Sequence, residues 1–436
     1  MPVALALALI LPGAAHSAGE EWKQFAIKDR VKVKLPDGTR RELNPSCSGG
    51  PVVGDAGIVA ADTQYSFFLK KGDSKKILLA LDGGGGCWDA ATCLASPLDP
   101  GSFGGRPTYT PSVDETPESV AAIGGVLDSD NPANPFSEYT QVYVPYCTGD
   151  IHWGSRDTTY FLPNLGLWTI RHRGADNLLA VLDWLKQEGI SLKNASDISV
   201  VGASAGGYGA NFAFAAVAER AGDETALSLV ADSGIGVIDN PLPEPLDFYA
   251  TAIYAESGED SWGVAQNVPR AVYAGNGFAT AEDYLEDQAG SPNSLMPSIL
   301  FALSRLPNAR VATVTPNLDG VQIGFYALMN VLNQSPRLLP DTQAAVEWNC
   351  SMVGMTTRTA AVSPGYTYFI EGGGFHTFVF GDVFGQVGAD PFYIDGALTA
   401  SGYTLSEWIA QLIDPEAPLP DPVFVPSGFE ALCSGV

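Results

Sequence analysis

Gly202-Ala203-Ser204-Ala205-Gly206 sets one hydroxyl between two glycines, at the point where an apolar run ending in Val200-Val201 gives way to the Ala-rich stretch from Tyr208 to Ala218. The β-branched run reads as a buried strand and the stretch after it as a helix. Strand, tight turn and helix in that order make a G-x-S-x-G elbow, which presents its serine as a nucleophile. In a chain with 48 glycines, the pentapeptide also fits a small-residue helix start with Ser204 as its cap. The elbow reading demands more: main-chain donors upstream, then an acid and a histidine downstream.

The chain has four histidines. His16 falls in the N-terminal apolar segment, His152 follows a strand candidate in "CTGDIHWG", and His172 opens a helix in "RHRGADN". His376 follows the last strand candidate in "EGGGFHTF", where a base reaching back to the elbow belongs. The acid that orients this base has two candidate addresses. Asp319 in "VTPNLDGVQ" lies on the later strand and is the choice, leaving Asp232 in "VADSGIG" as a turn or capping residue. "LDGGGGCWD" supplies main-chain donors: amides of Gly84 or Gly85, together with Ala205 beside the serine, can converge on one negatively charged oxygen. The dinucleotide fingerprint and the P-loop lysine are absent from this glycine run.

Several elements must position these groups. "KKILLALDGGGG", "YTQVYVPYCTGD", "DISVVGASAGG" and "LSLVADSGIG" are nearly continuous apolar runs ending in Gly-rich or acidic turns, as strands covered on both faces should be. "NLLAVLDWLKQ" is apolar at helical spacing, and "ARVATVTPNLDG" and "YTYFIEGGGFH" are later strand candidates. This alternation predicts an α/β fold with a mainly parallel sheet and helices on both faces. From Trp22 to Phe68 the alternating segments "FAIKDRVKVKL", "GIVA" and "TQYSFFLKK" predict a half-exposed antiparallel entry to the sheet. Residues 97–139 and 239–300 break the pattern and read as loops or a cap over the pocket; the second carries Phe248, Tyr249, Tyr254, Trp262, Tyr273, Phe278 and Tyr284.

Composition bounds the function. The 436 residues are 46% hydrophobic and 17% charged, enough for a large core, with no linker or repeat to divide the chain. Against 49 acidic residues stand 23 Lys and Arg, a net charge of -26. Nucleic acid and anionic membranes are therefore poor partners. Residues 1–17 read as a secretory signal, apolar with small residues before Ala18 but without a basic start, and residues 18–436 as one catalytic domain. No other segment is long and apolar enough to cross a membrane. Six cysteines fit an oxidising compartment. Cys87 and Cys93 are close enough to staple one loop, while Cys47, Cys147, Cys350 and Cys433 allow three connectivities. Paired C-x-x-C spacing and neighbouring histidines, which a zinc site needs, are missing.

"LDGGGGCWDAATC" with its C-x5-C, "GASAGGYGAN", "TPNLDGVQ" and "GGGFHT", in that order, resemble the pectin acetylesterase family of pectinacetylesterase and Notum-like serine hydrolases, over about residues 45–410. The resemblance implies an α/β-hydrolase fold, a Ser204, Asp319 and His376 triad, an oxyanion site at Gly84, Gly85 and Ala205, and a Cys87–Cys93 disulfide. "VPYCTGDIHWG" and "RHRGADNLLAVLDWL" look most like bacterial members. Gly86 stands where plant members carry Trp, which with the acidic charge points away from pectin. The expectation is a secreted serine esterase without metal or cofactor. Its substrate is an acetyl or other short-acyl ester, small or carried on an acetylated polysaccharide or neutral polyester. A non-catalytic binding protein on the same scaffold and an amidase with the same triad are the alternatives.

Overall fold

Runs that are apolar at every position become the centre of the sheet. The computed structural model describes residues 21–103, 107–236, 261–289, 295–332, 341–381 and 404–435. The signal reading at 1–17 and the aromatics Phe248, Tyr249 and Tyr254 lie outside them. In chain order the strands are β1 (Lys23–Ala26), β2 (Val31–Lys34), β3 (Arg40–Leu43), β4 (Pro51–Gly54), β5 (Gly57–Ala60), β6 (Ser66–Lys70), β7 (Asp73–Leu81), β8 (Tyr139–Val144), β9 (Arg156–Leu162), β10 (Gly166–His172), β11 (Asp197–Ala203), β12 (Ala226–Asp232), β13 (Ala309–Pro316), β14 (Tyr366–Glu371) and β15 (Val423–Phe424).

Nine of these strands form one sheet in the order β1-β6-β8-β7-β11-β12-β13-β14-β15. From β8 to β15 every neighbouring pair is parallel, and β6 and β1 add an antiparallel edge. Burial follows the pleat. Ile77, Leu79, Ile198, Val200, Leu227 and Leu229 face one core layer. Leu78, Ala80, Val201, Ala203, Val230 and Val314 face the other. Side chains alternate across a strand, so a sheet covered on both faces needs apolar residues at every step. Helices α1 (Pro117–Ala121), α2 (Gly174–Gln187) and α3 (Ala205–Ala218) lie between or follow these strands. The apolar stripe of α2 and nearly all of α3 pack on the first layer, and helix Leu405–Ile413 covers the second. The sheet and its helices give the α/β-hydrolase architecture.

The N-terminal alternation is more divided than its sequence predicts. β1 and β6 do join the sheet, but "VKVK" pairs with β3, and "GIVA" pairs with β4 in a separate hairpin. All four residues of "GIVA" are exposed, so nothing buries them against the sheet. The β9–β10 ribbon also stands apart as a two-stranded sheet. Its mixed pattern, with exposed Phe161 and Leu167 beside buried Ile170, follows neither a clean strand nor a clean helix period.

Two neighbouring strands set the site. β7 and β11 pair in parallel with Gly202 beside Leu81, so the Gly-rich turn after β7 and the elbow after β11 leave the sheet side by side. From β7 the chain continues to β8 on one side, and from β11 to β12 on the other. A crevice opens where such connections diverge.

Candidate active site

The elbow is held by close backbone packing. A Cβ on Gly202 would collide with the carbonyl of Gly206, and one on Gly206 with the carbonyl of Leu81. Gly83 is equally confined, its Cβ position lying 2.8 Å from both the Ala203 oxygen and the Ser204 Cβ. Ser204 has φ 57° and ψ -124°, a conformation L-residues avoid, and it directly precedes α3. Its amide donates to the Asp232 carbonyl at 2.8 Å, and its own carbonyl accepts from the Gly207 amide at 2.8 Å. No capping bond runs from its hydroxyl to the helix, so the cap reading of Ser204 fails.

His376 sits in the loop after β14. The Gly373 and Gly374 carbonyls accept from the amides of Leu318 and Gly320, which ties this loop to the turn after β13. Asp319 lies in that turn, fully buried. Both its carboxylate oxygens are 2.8 Å from His376 Nδ1. The carboxylate also accepts from the amides of Val321 (3.0 Å) and Gln322 (2.9 Å), and from Gln322 Nε2 (2.9 Å). Those amides are the second and third of helix Gly320–Leu332, so Asp319 caps this helix while it engages the imidazole. An ionised carboxylate only accepts. Nδ1 therefore carries the proton, and Nε2 is the basic nitrogen of the neutral ring.

Ser204, Ala205, Gly85 and His376 line one cavity of about 560 Å³, counted out to its open mouth. Among the described residues, the amides of Gly85 and Ala205 make no hydrogen bond within the protein. Gly84 precedes this wall without lining the cavity; it packs against the Tyr146 ring. Gly86 does line it, but its amide donates to the Thr108 carbonyl at 2.7 Å. The structure thus brings Ser204, His376, Gly85 and Ala205 to one cavity, with Asp319 behind His376 and Gly84 set back.

The other two histidines among the described residues are packed away. His152 Nε2 lies 2.9 Å from the Asp82 carbonyl, with its ring against Gly209 and Tyr146. His172 is bonded at both nitrogens, to the Thr148 carbonyl and the Tyr160 hydroxyl, each at 3.0 Å. Burial pushes both imidazoles down to about 4, so both are neutral at pH 7. His172 also approaches Cys87 and Cys93, but those sulfurs are joined in a disulfide. The other pairs are Cys47–Cys147 and Cys350–Cys433. Asp150 accepts from the Thr148 hydroxyl and the amides of His152, Gly154 and Gly174, fixing the turn that brings Ile151 to the cavity.

Sequence reasoning missed the walls. Trp88, Tyr208, Phe325, Tyr326 and Trp348 make the cavity aromatic, and Val321 and Gln322 complete it from the helix that Asp319 caps. Positions 321, 322, 325 and 326 fall on one face of that helix, a period present in "GVQIGFYALM". Asp319-x-x-Gln322 is also the spacing of a capping box, a signal that could have singled out Gln322. Three of the aromatics expected over the pocket make contacts outside its wall: Trp262 is buried and donates to the Cys87 carbonyl at 3.0 Å, and Phe278 packs on the edge of buried Tyr284. Within 97–139, Tyr109 pairs with Gly85, and the Val126 amide donates to the Val379 carbonyl at 2.9 Å. That segment braces the glycine turn and the histidine loop from outside.

The pectinacetylesterase family model matches residues 57–248, from β5 past the elbow. Over these residues, which hold the glycine turn and the elbow, the chain is similar to that family. It is 32% identical over 190 residues to palmitoleoyl-protein carboxylesterase Notum of Schmidtea mediterranea, covering 43% of this chain and 30% of that protein. It is 29% identical over 145 residues to the protein of the same name from Drosophila melanogaster, covering 33% of this chain and 20% of that one. The chain thus spans less than a third of the length of these relatives. The family match takes in Gly83–Gly86, the Cys87–Cys93 loop and Ser204. Asp319 and His376 lie beyond it and rest on geometry alone.

Proposed function

We propose that the protein is an exported serine carboxylester hydrolase that cleaves short-acyl esters, small or polymer-borne. The observation that carries this reading is one cavity lined by Ser204, His376, Gly85 and Ala205, with Asp319 at 2.8 Å on the far side of the imidazole. The match to the pectinacetylesterase family model and three disulfides support it.

In this reading His376 Nε2 takes the Ser204 proton as the oxygen attacks the ester carbonyl. Asp319 holds the tautomer and stabilises the imidazolium. The oxygen that becomes negative points at the Gly85 and Ala205 amides, donors already fixed by the packing of the β7 turn and the elbow. Imidazolium then protonates the leaving alcohol. Water, deprotonated by the same nitrogen, releases the acid from the acyl-enzyme. The acyl group lies against Trp88, Phe325 and Trp348, where burial of apolar surface favours it.

The test is turnover of a short-chain aryl ester by the purified protein and by Ser204→Ala. The variant should lose activity by a factor on the order of 10⁶. Equal turnover by both proteins rules this reading out. A matched amide turned over as fast as the ester would move the assignment to an amidase.

A further inference from the structure

Asp232 lies at the end of β12, the strand directly after the elbow, and no part of the mechanism above uses it. It is fully buried, flanked on the sheet by Ala203 of β11 and Val314 of β13. Its main-chain carbonyl accepts from the Ser204 amide at 2.8 Å. Its carboxylate oxygen Oδ2 accepts from two successive amides of the histidine loop, Phe378 and Val379, the latter at 2.8 Å. The next residue continues the pattern, with Ser233 Oγ accepting from the Thr377 amide at 3.2 Å and donating to Asp232 Oδ1 at 3.2 Å. One residue is thus bonded through its backbone to Ser204 and through its side chain to the segment two and three positions after His376.

We propose that Asp232, assisted by Ser233, is a positioning residue that sets the elbow serine and the histidine loop in register. This rests on the serine-hydrolase reading of the site. Thr377 and Ser233 both have positive φ, 65° and 51°, so the two segments held together are ones the chain does not adopt by local preference. Asp319 and Asp232 divide the work. Asp319 engages the ring itself, whereas Asp232 engages the main chain that carries it.

The strength of these bonds depends on ionisation. Burial pushes the Asp232 carboxyl up to about 7, against the two amides and His376, which favour its ionised form. Of the titratable groups on the elements packed against Asp232, His376 is the one that acts on it; β11 and β13 present only apolar neighbours. Above about pH 7 the ionised carboxylate makes charge-assisted bonds to the loop, and below that pH they weaken.

The experiment measures the second-order rate at which a fluorophosphonate labels Ser204, across pH 5 to 9, in the full chain and in Asp232→Ala, Asp232→Asn and Ser233→Ala, with melting curves for each. Displacement of reacting groups by about 1 Å costs roughly a hundredfold. Asp232→Ala should therefore label about a hundredfold more slowly at pH 8, and Asn, which keeps an acceptor oxygen, should recover at least half of that loss on a logarithmic scale. The slowing caused by Asp232→Asn should grow as pH rises through about 7, where the parent carboxyl ionises. Ser233→Ala, which keeps the carboxylate, should label several-fold more slowly. Should the Asp232 variants fail to fold, this last result alone decides. Wild-type rates and profiles in the folded variants, whatever their melting temperatures, overturn the proposal and leave Asp232 a structural residue. If the unaltered protein is not labelled at Ser204, the serine-hydrolase reading itself has failed.

Discussion

Asp319 presents both carboxylate oxygens to His376 Nδ1 at 2.8 Å while accepting three further hydrogen bonds from the first turn of the helix it caps. Asn at this position would turn an NH2 group toward Nδ1 and either Gln322 Nε2 or the Val321 and Gln322 amides, all donors, and would favour the wrong imidazole tautomer. Asp319→Asn should keep its fold and lose kcat by a factor on the order of 10⁴. Steady-state kinetics beside circular dichroism checks this, and a loss below tenfold would place the acid elsewhere.

Phe325 lines the cavity without being fully buried, so its removal enlarges the pocket more than it disturbs the core. Phe325→Ala should raise the ratio of kcat/KM for octanoyl over acetyl aryl esters by about tenfold or more, since each methylene accommodated is worth roughly 1–3 kcal/mol. An unchanged ratio would put the acyl group elsewhere.

The Cys350–Cys433 bond joins helix Asp341–Val362, which carries Trp348 of the cavity wall, to the C-terminal turn Phe429–Gly435 across 83 residues. Closing a loop of that length is worth about 4–5 kcal/mol in the chain-entropy account. Cys350→Ser with Cys433→Ser should melt several degrees lower by calorimetry while retaining esterase activity at 25 °C. The Cys87–Cys93 bond closes only 6 residues beside the glycine turn, so its loss should affect the rate more than the melting temperature.

How much of this the sequence disclosed depends on how local each signal was. Val200 to Gly206 specify strand, turn and helix within a few residues, so the elbow was legible, as was the parallel centre of the sheet from its unbroken apolar runs. The meeting of Asp319 and His376 was legible because both follow strands whose ends lie side by side in a parallel sheet. The aromatic wall was not, since Trp88, Phe325 and Trp348 come from three separate segments whose meeting is a property of tertiary packing. The long-range bonds of Asp232 were not legible: its partners are main-chain amides 146 and 147 positions away, which carry no side-chain signal.

His172 gives a pH signature independent of catalysis. Its imidazole titrates near 6.5 when unfolded and at about 4 when buried, so the unfolded chain binds a proton first as pH falls. Stability from this group is fully present above pH 6.5 and drains away down to pH 4, by about 3 kcal/mol in all. His172→Gln escapes that loss. The stability of the variant relative to the parent should therefore rise as pH falls from 6.5 to 4 in urea titrations, and a pH-independent difference would refute the buried neutral imidazole.

The central claim is that Ser204 is a nucleophile activated by His376, and covalent capture tests it without knowledge of the substrate. The protein incubated with a fluorophosphonate is digested, and the adduct is located by mass spectrometry, in parallel with His376→Ala. The account predicts a single phosphonylated residue, Ser204, with labelling nearly abolished in the variant. An unlabelled Ser204 in folded protein, or labelling equally fast without the imidazole, would contradict it.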